Sequence, residues 1–216
     1  MSDDLEKQKH TTHALTPEQV IGFSNDEWLR IVREMAYPQR ADSMELLNEL
    51  AIERKARNIV ETGTIRGWGG DGQSTLIFSG LALRLSGSLW SVDNNQIHIE
   101  NAKRWIGQLN TPNISWITED SVKYLSSFLF GAIMEFTIDI LYLDSYDYDF
   151  NDPIPAQIHN LAEMGAAYGK LGNESIIAID DANLAGGGKG LLTTRFLLER
   201  GWKVIYEGYQ RIFIRP

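Results

Sequence analysis

Three carboxylates stand where apolar runs stop. The run in "ILYLDSYDYDF" ends at Asp144, and the run in "IIAIDDANL" ends at Asp180 and Asp181. If both runs are strands of one parallel sheet, these acids gather at its carboxyl edge, where open α/β sheets bind ligands. Such a cluster repels itself unless something positive sits within it. A hard divalent cation such as Mg2+, which prefers carboxylate and water oxygens, is one answer. The plainer alternatives stay open: Asp144 and Asp181 as helix caps or loop braces, and Asp180 beside a buried partner. His159 follows early in the next helical stretch and has the pKa range of a general base, or is an ordinary surface histidine. Lys189, after "AGGG", either reaches an anionic substrate or simply opens a helix. The surrounding "LAGGGKG" is flexible by composition and reads as an acceptor-side lid. Tyr146, Tyr148 and Phe150 form an aromatic wall of the same pocket, or mere packing.

A second constellation surrounds "NIVETGTIRGWGGDGQSTL" (Asn58–Leu76), an apolar strand running into a glycine-rich loop. No Lys follows a glycine there, so a phosphate-binding P-loop is poorly supported. "GWGGDG" (Gly67–Gly72) matches the dinucleotide pattern, and Asp93 lies where a ribose-binding acid is expected. That pattern, however, begins several residues past the strand instead of at its end. The features at the strand end are Glu61, Thr62 and Gly63. Gly63 permits a tight turn, and a helix starting near Gln73–Thr75 would aim its free N–H groups at a ligand. Glu61 and the glycines also suit simple loop bracing.

These residues need elements to hold them. "NDEWLRIVREMAY" reads as a helix capped by Asn25 or Asp26, and "DSMELLNELAIERKA" as one capped by Asp42 with Glu45 at capping-box spacing. From Asn58 onward, short apolar runs alternate with helical stretches: "NIVET", "GSLWSVDNN", "ISWITED", "IDILYLDS" and "ESIIAIDDA" are the strands. That alternation argues for a mostly parallel sheet covered on both faces. The last two strands, in "WKVIYEGYQRIFIRP", are joined too tightly for a crossover and pair as a hairpin. The fold class is therefore α/β: a three-layer, Rossmann-like sandwich around a mostly parallel seven-stranded sheet ending in an antiparallel hairpin. Residues 1–57 read as a flexible arm, holding His10 and His13, and an N-terminal helical extension able to dimerise. Residues 58–216 form the ligand-binding domain.

The bulk numbers narrow the partners. The chain has 216 residues, 43% hydrophobic, with a formal net charge of -9. That balance weighs against nucleic acid, whose affinity comes largely from cationic side chains. There is no cysteine, so disulfide and thiolate chemistry are absent. The polar start is unlike a secretory signal, and no apolar run approaches the roughly 18 residues of a membrane span, so a cytoplasmic protein is expected.

"VETGT…G…STL" followed by "SVDNN" resembles the first two motifs of class I S-adenosylmethionine (SAM)-dependent methyltransferases. The resemblance covers about Asn58 to Pro216. It implies that Glu61 and the turn at Gly63 hold the methionine part of SAM, and that Thr62, Ser74 and Thr75 also bind the cofactor. It further implies that Asp93 holds the ribose, that Asp120 in "ITEDS" meets the adenine amine, and that Asp144 belongs to the same site. The acids after the fourth and fifth strands are similar to those of metal-dependent O-methyltransferases of the catechol and macrolide-sugar types. There the matching positions, Asp144, Asp180 and Asp181, would hold Mg2+. The ion would clamp and acidify a hydroxyl of a small sugar, polyketide or phenolic acceptor. Catechol-type enzymes carry a lysine where this chain has Asp147. Competing functions are a NAD-type oxidoreductase and a non-catalytic cofactor-binding scaffold.

Overall fold

A computed structural model describes residues 15–66, 73–131 and 137–216. The dinucleotide-like "GWGGDG" and the His10/His13 pair lie outside the described residues. Seven strands form one sheet: β1 (Asn58–Thr62), β2 (Ser88–Asp93), β3 (Ile114–Thr118), β4 (Ile138–Leu143), β5 (Leu171–Ile179), β6 (Lys203–Glu207) and β7 (Arg211–Ile214). Their order is β3-β2-β1-β4-β5-β7-β6. The first five are parallel; β7 runs antiparallel to both β5 and β6. The expected fold class and closing hairpin are both observed.

Alternation along each strand divides the core. Ile59, Ile140 and Ile176 face one layer of helices, and Val60, Leu141 and Ile177 the other. Helices α2 (Asn25–Met35), α3 (Ala41–Arg54) and α4 (Ser74–Arg84) cover the first face through Trp28, Met44, Leu47, Phe78 and Leu81. Helix α5 (Gln96–Trp105) packs along β2 and β3. Helices α6 (Ser121–Gly131), α7 (Ile154–Ala167) and α8 (Leu191–Leu198) cover the second face through Leu125, Met164, Ala167 and Leu197. A connection through α4 places β2 on one side of β1, while β4 pairs on the other. This reversal opens a crevice at the carboxyl ends of β1, β2 and β4, the usual ligand position in such sheets.

The N-terminal region differs from its sequence reading in two ways. First, its described part, residues 15–57, is built into the core. A short helix, α1 (Pro17–Gly22), lies inside the stretch expected to be a loose arm, and its Val20 is fully buried. Trp28 is also fully buried, and its indole N–H donates to Asn48 Oδ1 at 3.0 Å. Second, the caps fall elsewhere. Ser24, not Asn25 or Asp26, caps α2 and exchanges bonds with Glu27 in a capping box. Asp42 is no cap either: a 3-10 turn over Pro38–Arg40 runs directly into α3, and Asp42 instead pairs with Arg33 at 2.6 Å.

Candidate functional site

Gly63 terminates β1 with φ +84°, a conformation that other residues adopt at a cost. Its N–H donates to Val92 O at 2.8 Å, and Asp144 N–H donates to Thr62 O at 2.9 Å. Three strand ends are thereby drawn together. Around them lies a cavity of about 430 Å³, lined by Gly63, Thr64, Ser74, Asp93, Asp120 and Asp144 among others, and by His98 and His159.

Glu61 does not line this cavity. It is fully buried, and its carboxylate accepts from Ser74 Oγ (2.5 Å), Thr75 Oγ1 (3.1 Å) and Ser91 Oγ (2.8 Å). Thr75 Oγ1 in turn accepts from Ile65 N–H at 3.0 Å, so Glu61 braces the loop and the start of α4. Thr62 is likewise fully buried. Burial pushes the Glu61 carboxyl from its ordinary 4.5 up to about 7, against the pull of the three hydroxyls. A folded-state value above the unfolded one means extra proton binding in the fold. That stability is present below 4.5 and is lost as pH rises through about 7. Glu61→Gln is therefore expected to be more stable than the parent at pH 8 by roughly 1–3 kcal/mol, and to flatten the decline in stability between pH 5 and 8. Urea unfolding at both pH values measures this.

Asp93, at the end of β2, accepts from Thr64 N–H (3.2 Å), Thr64 Oγ1 (3.3 Å) and Asn95 N–H (2.8 Å). Its Oδ1 also lies 3.1 Å from His98 Nδ1. Sequence reading missed His98, although its position one turn into the helix after Asp93 was a usable signal. Asp120 lines the cavity and also caps α6, accepting from Lys123 N–H at 2.9 Å.

His159 stands at the cavity wall with Nε2 3.0 Å from Ser121 Oγ and 3.7 Å from Glu163 Oε1. Glu163 is fully buried and accepts from Ser145 Oγ at 2.6 Å. The Glu163 carboxylate, against the effect of burial, holds the imidazole pKa above its ordinary 6.5. A shallow apolar groove continues from the same wall, sharing Tyr146 and His159 and adding Ile154, Pro155, Ile158 and Ala162. Tyr146 is half exposed and holds φ +62°, which is rare for an aromatic residue and cants its ring over His159 at 5.1 Å. Tyr148 and Phe150 pack edge to face beyond it, with centroids 5.5 Å apart.

The three acids converge as expected: Asp144, Asp180 and Asp181 each present an oxygen within 4.8 Å of the others. The positive charge among them comes from the chain itself. Arg40 forks onto Asp180, Nε to Oδ1 at 2.8 Å and Nη2 to Oδ2 at 2.6 Å. Gln210 Nε2 adds a bond to Oδ1 at 2.9 Å. Burial alone would raise the Asp180 carboxyl, but the Arg40 fork holds it below its ordinary value. Lys189 Nζ lies 2.9 Å from Asp144 Oδ1 and 3.0 Å from Asp181 Oδ2. The Tyr209 hydroxyl donates to Asp181 Oδ1. Burial, and then the charge of Asp180, push Asp144 well above the ordinary carboxylate range despite Lys189. Lys189 is 3% exposed and faces this cluster instead of the cavity, so it is not placed to meet an anionic acceptor. As folded, these donors do not fit a divalent ion, because both oxygens of Asp180 and Asp181 and Oδ1 of Asp144 already have protein partners and the Lys189 ammonium stands between Asp144 and Asp181.

The glycine loop before Lys189 is also tighter than its composition suggests. Gly186, Gly187 and Gly188 all have positive φ, and Gln157 Nε2 donates to Gly186 O (3.0 Å) and Gly188 O (3.1 Å).

The sequence matches no protein-family model and no curated protein. Solved structures do match. The calicheamicin methyltransferase CalS11 superposes with a TM-score of 0.62 at 15% identity, over 99% of this chain and 90% of its own. An O-methyltransferase from Bacillus cereus in complex with SAH gives 0.56 at 14% identity, over 99% of this chain and 91% of its own. MycE, a methyltransferase of the mycinamycin pathway in complex with Mg and SAH, gives 0.55 at 13% identity, over 79% of this chain and 48% of its own. The chain therefore has the Rossmann-like methyltransferase fold. Among the described residues, no helix is long and apolar enough to cross a membrane.

Proposed function

We propose that this protein is a SAM-dependent O-methyltransferase acting on a small hydroxylated molecule with an apolar body. The observation that carries the proposal is the cavity at the switch point of the sheet. Its lining places Gly63, Asp93, Asp120 and Asp144 at successive strand ends, in the order of the SAM motifs. The residues fit the cofactor. The volume is that of a small-molecule site, and the acidic lining suits a cationic sulfonium. SAM supplies an electrophilic methyl group. Asp93 would take the ribose hydroxyls, Asp120 the adenine amine, and the Gly63 backbone and Ser74 the methionine end.

The chain's own residues then have to orient an acceptor and remove its proton. The groove of Tyr146, Ile154, Pro155 and Ile158 would bury the acceptor's apolar face. His159 borders both the groove and the cavity, so its imidazole is the side chain that would receive the hydroxyl proton. Glu163 stabilises the resulting imidazolium. Mg2+ assistance, expected from the sequence and matched by the ion in MycE, is not carried into this reading. Lys189 and Arg40 already pair with the carboxylates that would hold the ion.

Calorimetry with SAH and with NAD, on the parent and on Asp93→Ala, tests the cofactor reading. SAH should bind the parent and bind Asp93→Ala at least about tenfold more weakly, the worth of a lost charged hydrogen bond. Binding of NAD without SAH would favour an oxidoreductase instead. Radiolabelled methyl transfer to a panel of phenols, diols and glycosides tests the chemistry. SAH binding with no transfer to any of them would favour the scaffold alternative. Because the base must be neutral, kcat/KM should rise with pH through a value above 6.5, and His159→Gln should lose about 10²–10⁴-fold together with that limb.

A further inference from the structure

We propose that Lys189 occupies the position of a divalent cation in this fold, so that the Asp144–Asp180–Asp181 cluster is closed by an internal ammonium and works without a metal ion. Four observations converge on this. The oxygens an ion would need already have protein donors: both of Asp180 from Arg40, both of Asp181 from Tyr209 and Lys189, and Oδ1 of Asp144 from Lys189. The ammonium bridges Asp144 and Asp181 at 2.9 and 3.0 Å, so an ion drawn to the same oxygens would meet a like charge at contact distance. Mg2+ also demands near-octahedral geometry and retains several waters, whereas Asp180 is 0% exposed and the side chains of Asp181 and Asp144 only 16% and 22%.

The backbone, finally, fixes the lysine in place. Gly188 has φ +64°, and a Cβ there would stand 2.2 Å from Asp181 O. Lys189 N–H donates to that same carbonyl at 3.1 Å. Gln157 holds the turn from the other side, which fixes the backbone from which the lysine side chain reaches the cluster. Charge supports the same picture. Arg40 pairs with Asp180 and Lys189 with Asp144 and Asp181, and Asp144, whose carboxyl burial and Asp180 push toward its protonated form, is the member of the cluster that lines the cavity. An ammonium carries half the charge of Mg2+ and is less able to acidify a hydroxyl. This second consequence rests on the methyl-transfer reading and makes a side-chain base such as His159 necessary. The metal inference itself does not depend on that reading.

The test uses the full chain. Mn2+ binding is followed by electron paramagnetic resonance, and melting is followed with MgCl2 or with EDTA. The parent should bind no stoichiometric Mn2+ and should melt identically in both additives. Lys189→Met, and Lys189→Gln as a second neutral variant, leave Asp144 and Asp181 without their ammonium while Arg40 still holds Asp180. Each should bind one Mn2+ per chain at least about tenfold more tightly than the parent. The inference is overturned by one Mn2+ per chain in the parent that Asp180→Asn removes, or by neutral variants that bind no better. If neither variant folds, the parent titration decides alone. SAH affinity measured in the same samples keeps the two readings apart. Failure to bind SAH sinks the methyltransferase proposal and leaves the metal result standing.

Discussion

Arg40→Ala should cost roughly 3–5 kcal/mol of unfolding free energy, the usual penalty for stranding a buried charge. Arg40 is 5% exposed and Asp180 is 0% exposed. Their two-bond fork is reinforced by the Tyr209 ring, whose centroid lies 4.5 Å from the guanidinium carbon. Without the guanidinium, Asp180 keeps Gln210 but sits near Asp144 and Asp181 with only Lys189 to offset them. The pH dependence should invert. In the parent, Asp180 is held below its ordinary value, so its contribution is present above the unfolded pKa and fades as pH falls through the folded one. In Arg40→Ala the stranded carboxyl gains a proton on folding, so the variant should be less damaged at pH 5 than at pH 8. Arg40→Lys should recover only part of the loss, since an ammonium cannot reproduce the fork. Arg40→Ala/Asp180→Asn should recover more, because no charge remains stranded. Urea unfolding of the four proteins at both pH values gives the comparison. Equal losses at pH 5 and pH 8 would show that packing, not charge, is what Arg40 supplies.

The same pair shows where sequence reading stops. Asp180 extends an apolar run, so a buried aspartate needing a partner was legible. That the partner would be Arg40, 140 residues away, was not, because only the packing of α3 against β5 and β7 brings it there. The convergence of the three acids followed from a rule about strand ends. What neutralises them did not, since a lysine after three glycines reads equally as a lid, a helix start or a buried cation. The sheet was legible because five apolar runs alternate with helical stretches. The caps were less so. Asn25, Asp26 and Asp42 have suitable side chains, but the preceding Ser24 wins at α2, and the Pro38–Arg40 turn removes any need for a cap at α3. Glu163 was hidden in plain view: it lies one helical turn after His159, the spacing at which two side chains meet.

Gly63→Ala is expected to be nearly as damaging as Arg40→Ala, with the loss concentrated at the ligand site. A left-handed φ costs a non-glycine residue about 1–2 kcal/mol. A Cβ at this position would also stand 2.6 Å from Asp144 O and 2.9 Å from Asp144 C, both rigid backbone atoms at the neighbouring strand end. Relief requires the ends of β1 and β4 to separate, which strains the Asp144 N–H to Thr62 O bond and moves the Asp144 carboxylate. The total should approach about 3 kcal/mol. If the proposed cofactor site is correct, SAH affinity should fall at least about hundredfold, because floor and wall of the cavity shift together. Gly107 supplies the control. Its φ is also positive, at +54°, yet nothing lies within 4 Å of its Cβ position. Gly107→Ala should therefore carry only the conformational penalty and leave SAH binding intact. Melting and SAH calorimetry on the two variants separate the terms. Equal effects would mean that backbone conformation alone sets the cost at Gly63, and that the approach of β1 to β4 does not shape the cavity.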